Sequence, residues 1–190
     1  MNLKKFNNLV DLFFDQASKQ NTQTVFLEWL NTVNKKKFTW SQTVSSVLKL
    51  AKTLRKYVKE GDRVLLISEN RPEWLISDLA IMLAKGITVP TYTTYTEKDY
   101  KYLIEDCQPS IIIVSNDEMH NKLKNIIKEK DFIKKVISFD ELVNIEKQDK
   151  YLKFDSIVIV SNDEMHNKLK NIIKEKDFIK KWFHLMILKT

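Results

Sequence analysis

The sequence predicts an α/β fold, a mostly parallel sheet flanked by helices. Three observations carry this. From Arg63 onward, short apolar runs alternate with amphipathic stretches of helical length. Two of those runs, Val64–Ile67 and Ile111–Val114, are apolar at every position, as suits strands covered on both faces. Turn and stop residues (Gly61, Gly86, Pro90, Pro109) fall between the runs. Alternation of this kind implies parallel strands joined by right-handed crossovers, with helices over the sheet.

The elements follow in order. Leu3, Phe6, Val10, Phe13, Phe14 and Ala17 recur at helical spacing. Asp11 and Asp15 join the nearby lysines Lys4 and Lys5 on the polar face of this first helix, which is therefore read as packed on its own domain. A membrane-surface helix would carry a basic face instead. Thr24–Trp29 and Lys37–Trp40 are β-prone runs around a polar turn and predict an antiparallel pair. Ser41 is placed to cap a helix with Val44, Val47, Leu48, Ala51, Leu54 and Val58 on its apolar face, and Gly61 ends the connection.

Arg63–Ser68 is the first buried strand. Asn70 and Glu73 have capping-box spacing, and Pro72 sits in the first turn, where its missing N–H matters little. The helix through Trp74, Leu75, Leu79, Met82 and Leu83 stops at Gly86, and the strand Ile87–Val89 is closed by Pro90. Thr96 opens a helix burying Tyr100, Leu103, Ile104 and Cys107, which Pro109 breaks. After the strand Ile111–Val114, Ser115 and Glu118 suggest a capping box for a helix carrying Met119, Leu123, Ile126 and Ile127. Lys135–Ser138 is a last strand.

Composition narrows the function. The chain has 190 residues, 43% of them hydrophobic, enough for one α/β domain or a piece of a larger one. No apolar run reaches 18 residues, so no transmembrane span is expected. The N-terminus lacks an apolar signal core, which points to the cytoplasm. Cys107 stands alone, excluding an intrachain disulfide, and reads as a small buried apolar side chain. The net charge is +7, but lysines alternate with acids and no nucleic-acid module accompanies them, so no nucleic-acid partner is expected. Gly61 and Gly86 are the only glycines. Phosphate-cradling loops need several close together, so neither a Walker loop nor a Rossmann fingerprint is present.

The chemically suggestive residues have plainer readings. His120 and His166, each beside Asp and Glu, suit a solvated helix face better than a metal site, because no second ligand cluster stands at zinc-like spacing. Asn70 and Glu73 are explained by capping, and Trp74 and Tyr92 by core packing. No Ser-His-Asp or Cys-His arrangement emerges. No catalytic, cofactor-binding or metal-binding residue is assigned.

Ile113–Lys135 recurs unchanged as Ile159–Lys181. Extended back to Ser110 and Ser156, the copies differ only at Ile112 against Val158. Solenoid repeats diverge in detail and need about three or more copies to support each other, so the pair reads as a recent duplication or a sequence error. After Lys181 the match stops, yet Ile137-Ser138-Phe139-Asp140 and Phe183-His184-Leu185-Met186 can be encoded by one nucleotide string, ATTTCATTTGATG, read one base apart. Residues 182–190 are accordingly read as a frameshifted tail, although Trp182 and the residues after Met186 need further base changes.

Gly61-Asp62-Arg63-Val64, Asn70-Arg71-Pro72-Glu73-Trp74 and Gly86-Ile87-Thr88-Val89-Pro90-Thr91-Tyr92 together resemble, in order and spacing, the N-terminal subdomain of the AMP-forming acyl-CoA synthetases. Phe38-Thr39-Trp40 upstream and Tyr100, Leu103, Ile104, Glu105 and Asp106 downstream fit as well. Val89-Pro90-Thr91-Tyr92 with Thr93-Thr94 is most similar to the long-chain fatty acid branch; Lys85 departs from the small residue usual before that glycine. The resemblance implies residues 1–155 as a partial N-terminal subdomain; the internal repeat makes 156–181 a near-exact duplicate of 110–135, and 182–190 is read as the tail. It also implies, for the full-length family, a fatty acid substrate, ATP, Mg²⁺ and CoA, with acyl-adenylate and then acyl-CoA as products. The family's Ser/Thr/Gly-rich loop and C-terminal lysine do not occur in this chain, so the polypeptide alone is expected to be inactive. A non-catalytic interaction or regulatory domain and a peripheral membrane module are the alternatives.

The frameshift reading makes a prediction at the level of DNA. Codons 137–140 and 183–186 are expected to lie in near-identical nucleotide stretches offset by one base. Genomic sequencing that finds no such shared stretch refutes it.

Overall fold

The computed structural model describes residues 6–30, 35–128 and 130–141. They fall into two compact units, one formed by residues up to Lys52 and one by residues from Thr53.

In the first unit, α1 spans Leu9–Lys19. Asn8 caps it, its side chain accepting a hydrogen bond from Asp11 N at 2.8 Å. Val10, Phe13, Phe14 and Ala17 are buried, as the periodicity predicts; Leu3 lies outside the described residues. Phe13 meets Phe14 edge-on at 5.2 Å and stacks on Trp40 at 6.1 Å, and Phe26 stacks on Trp40 at 3.8 Å. Asp11 and Asp15 are buried too, against the expectation of a polar face. Asp15 is tolerated there because Lys19, one turn on, pairs with it and Gln16 donates to it at 3.2 Å.

β1 (Val25–Trp29) and β2 (Lys36–Thr39) pair antiparallel, with Leu27 opposite Phe38. α2 (Trp40–Leu54) starts without a gap. Its cap is therefore Thr39 and not Ser41. Thr39 Oγ1 accepts from Gln42 N at 3.2 Å while Gln42 Oε1 accepts from Thr39 N at 2.9 Å, a reciprocal box. Ser41 falls inside the helix, its N–H donating to Thr22 O. Leu50 is buried on the apolar face, whereas Leu48 is only half-buried.

The second unit holds β3 (Arg63–Ile67), α3 (Pro72–Leu83), β4 (Ile87–Thr91), α4 (Glu97–Cys107), β5 (Ile111–Val114), α5 (Asp117–Ile127) and β6 (Lys135–Ser138). The four strands are parallel, in the order β4-β3-β5-β6. Residues Val64–Ile67 and Ile111–Val114 in the two central strands have no solvent exposure. Alternation divides them between faces. Leu65, Ile67, Ile112 and Val114 share one face with Tyr100 and Ile104 of α4 and Leu123 of α5. Val64, Leu66, Ile111 and Ile113 take the opposite face, and α3 packs on β3 and β4.

Gly61 has φ +82°, a conformation that Gly adopts freely, and its N–H donates to Lys85 O. Gly86 is required for room: a Cβ there would lie 3.1 Å from side-chain atoms of both Ile81 and Val58. α4 has the expected Thr96 cap, with Asp99 completing the box, and ends at Gln108 in the left-handed region (φ +43°) just before Pro109.

Two other caps differ from expectation. α3 has Arg71 at the cap position, whose side chain makes no capping bond to the first-turn N–H groups; Asn70 is exposed, and Glu73 is buried against Arg71. Pro72 at the first position already removes one donor that a cap would serve. α5 is capped by Asn116, whose Oδ1 accepts from Met119 N at 2.8 Å. Ser115 is still committed to the sheet, its N–H donating to Ile67 O. Tyr92 does not pack in the core: it is 69% exposed, because β4 is the outermost strand of the described sheet and ends there. Its main chain is used instead, accepting from Tyr100 Oη at 2.7 Å.

Leu66 lies in the central strand with no exposed surface. Leu66→Ala is expected to lower the unfolding free energy by about 2–5 kcal/mol, measured by urea denaturation. A loss within experimental error would mean that the central strand does not carry the fold.

Candidate functional site

In an open parallel sheet, ligands sit outside the carboxyl ends of the strands, where the strand order reverses. Here the chain runs from β3 outward to β4 and then returns to the other side of β3 as β5. The reversal lies between β3 and β5. Their carboxyl ends lead into Ser68-Glu69-Asn70-Arg71 and Ser115-Asn116-Asp117, with Phe139-Asp140 leaving β6 alongside.

Arg71 occupies this place. Its Nε donates to Glu73 Oε2 at 2.9 Å, and one terminal nitrogen donates to Ser115 O at 3.3 Å and to Glu69 Oε1 at 3.4 Å. The guanidinium lies over the ring of fully buried Phe139, 5.2 Å from its centroid. One side chain thus ties together the segments at the ends of three strands. Burial opposes the charge on Arg71, but the hydrogen bond and ion pair with Glu73, helped by Glu69, push its pKa above the usual arginine range. Beside it, Asp140 Oδ2 accepts from Asp117 N in the first turn of α5 at 3.1 Å, and Asp140 N donates to Ser138 Oγ at 3.0 Å. Ser68 Oγ donates to Glu69 O at 2.8 Å.

The polar groups of this end bond mainly to one another. The arrangement orders loops; it presents no nucleophile beside a base. At the carboxyl end of β4, Tyr92 and Tyr95 meet edge-on at 5.6 Å, and Lys122 donates to Tyr95 O at 2.7 Å while lying over the Tyr100 ring. Burial raises the pKa of Tyr100 and that of the half-buried Cys107 thiol, which keeps both groups neutral.

The residues weighed from sequence scatter. Asn70 is exposed, Glu73 pairs with Arg71, Trp74 is half-buried, and His120 sits half-buried on α5. His166 lies outside the described residues. Among the described residues, no group of three His, Cys, Asp or Glu side chains could hold a metal ion. No helix among them is long and apolar enough to cross a membrane. Sequence reasoning passed over Arg71. The alternation Glu69-x-Arg71-x-Glu73 was the available signal, but the partner Ser115 is 44 residues away and only the sheet brings it near.

Residues 13–178 match the family model described as AMP-binding enzyme. A long-chain-fatty-acid–CoA ligase of Gallus gallus is 28% identical over 141 residues, covering 73% of this chain and 17% of the relative. One from Bacillus subtilis (strain 168) is 38% identical over 79 residues, covering 41% of this chain and 14% of the relative. The chain therefore spans less than a fifth of these relatives. A fatty acyl-adenylate ligase from L. pneumophila, solved with acyl adenylate and pyrophosphate, superposes over 84% of this chain and 27% of its own length, with a TM-score of 0.62 at 22% identity. An anthranilate CoA ligase superposes over 74% of this chain and 27% of its own, with a TM-score of 0.63 at 18% identity. Both likenesses are of fold.

Arg71 and Glu73 are both nearly covered, with side chains 11% and 8% exposed. Removing one partner leaves the other's charge buried, so Arg71→Met is expected to lower stability by about 3 kcal/mol. Arg71→Met with Glu73→Gln is expected to recover part of that loss in urea titrations. A double variant as unstable as the sum of the two single variants would show that the pair is not coupled.

Proposed function

Because this chain belongs to the AMP-binding enzyme family, we propose that it is the N-terminal part of an AMP-forming long-chain fatty acid–CoA ligase. The observation that carries the proposal is the ordered set Gly61–Val64, Asn70–Trp74 and Gly86–Tyr92, which falls on the start of β3, the start of α3, and β4 with its two ends. The Gallus gallus and Bacillus subtilis relatives are long-chain-fatty-acid–CoA ligases, which supports the substrate class. Since the chain matches 17% and 14% of their lengths, ligation is proposed for the longer protein of which this segment is a piece.

In that protein, a fatty acid carboxylate attacks ATP to give an acyl-adenylate and pyrophosphate, and CoA then takes the acyl group with release of AMP. The chemistry requires neutralising a crowded triphosphate. No residue of this segment is assigned to the metal or the triphosphate in this proposal. What this segment contributes is a rigid parallel sheet whose strand ends are already ordered by Arg71. The proposed location is the cytoplasm. Burial of Val10, Phe13 and Phe14 leaves α1 poorly suited to insert in a membrane surface, so that alternative gains no support from the helix that suggested it.

Expressed with the reading frame restored by removal of the second copy, the protein is expected to release pyrophosphate in a long-chain-fatty-acid-dependent manner. The 190-residue polypeptide alone is expected to release none. Fatty-acid-dependent release by the short polypeptide would overturn its assignment as an incomplete ligase. A restored frame that activates only short or aromatic acids would overturn the long-chain assignment.

A further inference from the structure

The segment between β4 and α4 carries an aromatic ring that the fold leaves largely uncovered. Tyr92 is 69% exposed, yet the main chain around it is fixed. Tyr100 Oη donates to Tyr92 O at 2.7 Å, and Lys122 Nζ donates to Tyr95 O at 2.7 Å. The Tyr92 ring meets Tyr95 edge-on at 5.6 Å, and Tyr95 is tilted against the fully buried Tyr100 at 6.1 Å. The rings step outward from the core, and the last keeps most of its surface in water. A pinned, exposed tyrosine offers contact area at little cost in conformational freedom.

Lys122 adds a charge to this group. Its ammonium is held by neutral partners, the Tyr95 carbonyl and the face of the Tyr100 ring, 5.1 Å from the centroid. Lys85, Lys130 and Lys134 answer carboxylates instead. Among the described residues, no carboxylate pairs with Lys122. The chain between the ring and the cation brings the hydroxyls of Thr93 and Thr94, the latter exposed. Glu97 and Asp99 stand in the first turn of α4, where Asp99 is engaged by Thr96 N at 2.9 Å and Thr96 Oγ1 at 2.7 Å. Their charges disfavour an anion at that helix end, which leaves Lys122 as the group to receive one.

We propose that Tyr92 and Lys122 form a contact site for an adenine nucleotide, with the base stacked on Tyr92 and a phosphate oxygen accepting from Lys122 Nζ. A purine has the flat π face that an exposed tyrosine can carry. An ammonium keeps further N–H donors after its bond to one carbonyl. The position is also suitable, because ligands of open α/β sheets gather at the carboxyl ends of the strands, and this segment leaves that end of β4. The choice of a nucleotide over another aromatic anion rests on the ligase reading, which supplies two adenine nucleotides, ATP and CoA.

Titration of the 190-residue chain with ADP and with CoA, followed by heteronuclear NMR, tests the site. Both ligands share the adenosine diphosphate moiety, and both should shift the amide signals of residues 92–95 and 122. Tighter binding of CoA would name CoA as the source, tighter binding of ADP would name ATP, and equal binding would show that only the shared moiety is read. Tyr92→Ala should weaken both by about tenfold, whereas Tyr92→Phe, which keeps the ring, should bind like the parent. Lys122→Gln should weaken ADP and CoA but leave adenosine unchanged. Absence of shifts at millimolar nucleotide, or an affinity untouched by Tyr92→Ala, would overturn the site. Displacement of ADP by inorganic pyrophosphate or by benzoate at equal concentration would overturn it too, as a site for any anion or any aromatic acid. Binding is read without turnover. A restored-frame protein with no ligase activity would therefore leave nucleotide binding standing, and absent binding would leave the fatty acid assignment standing.

Discussion

The pairing of β3 with β5 is the constraint on which the second unit depends. Two parallel strands with no exposed residue from Val64 to Ile67 or from Ile111 to Val114 must be covered on both faces. Parallel pairing forbids a short hairpin between them, so the chain has to leave, form a crossover and return. That is why α3, α4 and α5 exist where they do, and why β4 and β6 flank the centre with less burial. It also sets the place where strand order reverses. The segments after β3, β5 and β6 come together there, and a single guanidinium at Arg71 bonds to or covers groups from all three.

Strands and helices were legible because hydrophobic periodicity is a property of the covered face, and the covered face survives in the sequence. The parallel arrangement was legible for the same reason: runs such as Ile111–Val114 have no polar side to show water. Caps were less legible. Ser41, Asn70 and Ser115 all have capping chemistry, but a cap is decided by the residue at which the preceding element stops, and that is a hydrogen-bonding fact. Ser115 is still held to Ile67, so the role passes to Asn116; β2 ends at Thr39, so the role falls two residues before Ser41. Asp11 and Asp15 show the same limit for charge. Their acidity suggested a solvated face, yet Lys19 allows Asp15 to be covered.

The candidate site was harder still to anticipate. The bond from Arg71 to Ser115 joins residues that only the sheet order makes neighbours, and no local pattern announces it. The family signature Asn70–Trp74, recognisable as a string, includes the two members of the buried pair Arg71–Glu73. A physical reason for those residue types thus stands beside the resemblance. Arg is suited to bridging several acceptors at once because its donors are spread across a planar fork. Catalytic groups were not legible in the sequence of this segment.

Pro90 has one further consequence. It lies in β4, the outermost strand on one side of the described sheet, opposite Leu66. An edge strand is an open template on which strands of neighbouring molecules can add and polymerise. Proline interrupts such a template because it has no N–H to offer, and it breaks the regular ladder that fibril growth requires. Val89-Pro90-Thr91 of the family string thus puts a residue that cannot donate to a ladder into the outermost described strand, beside the fully buried centre of the sheet.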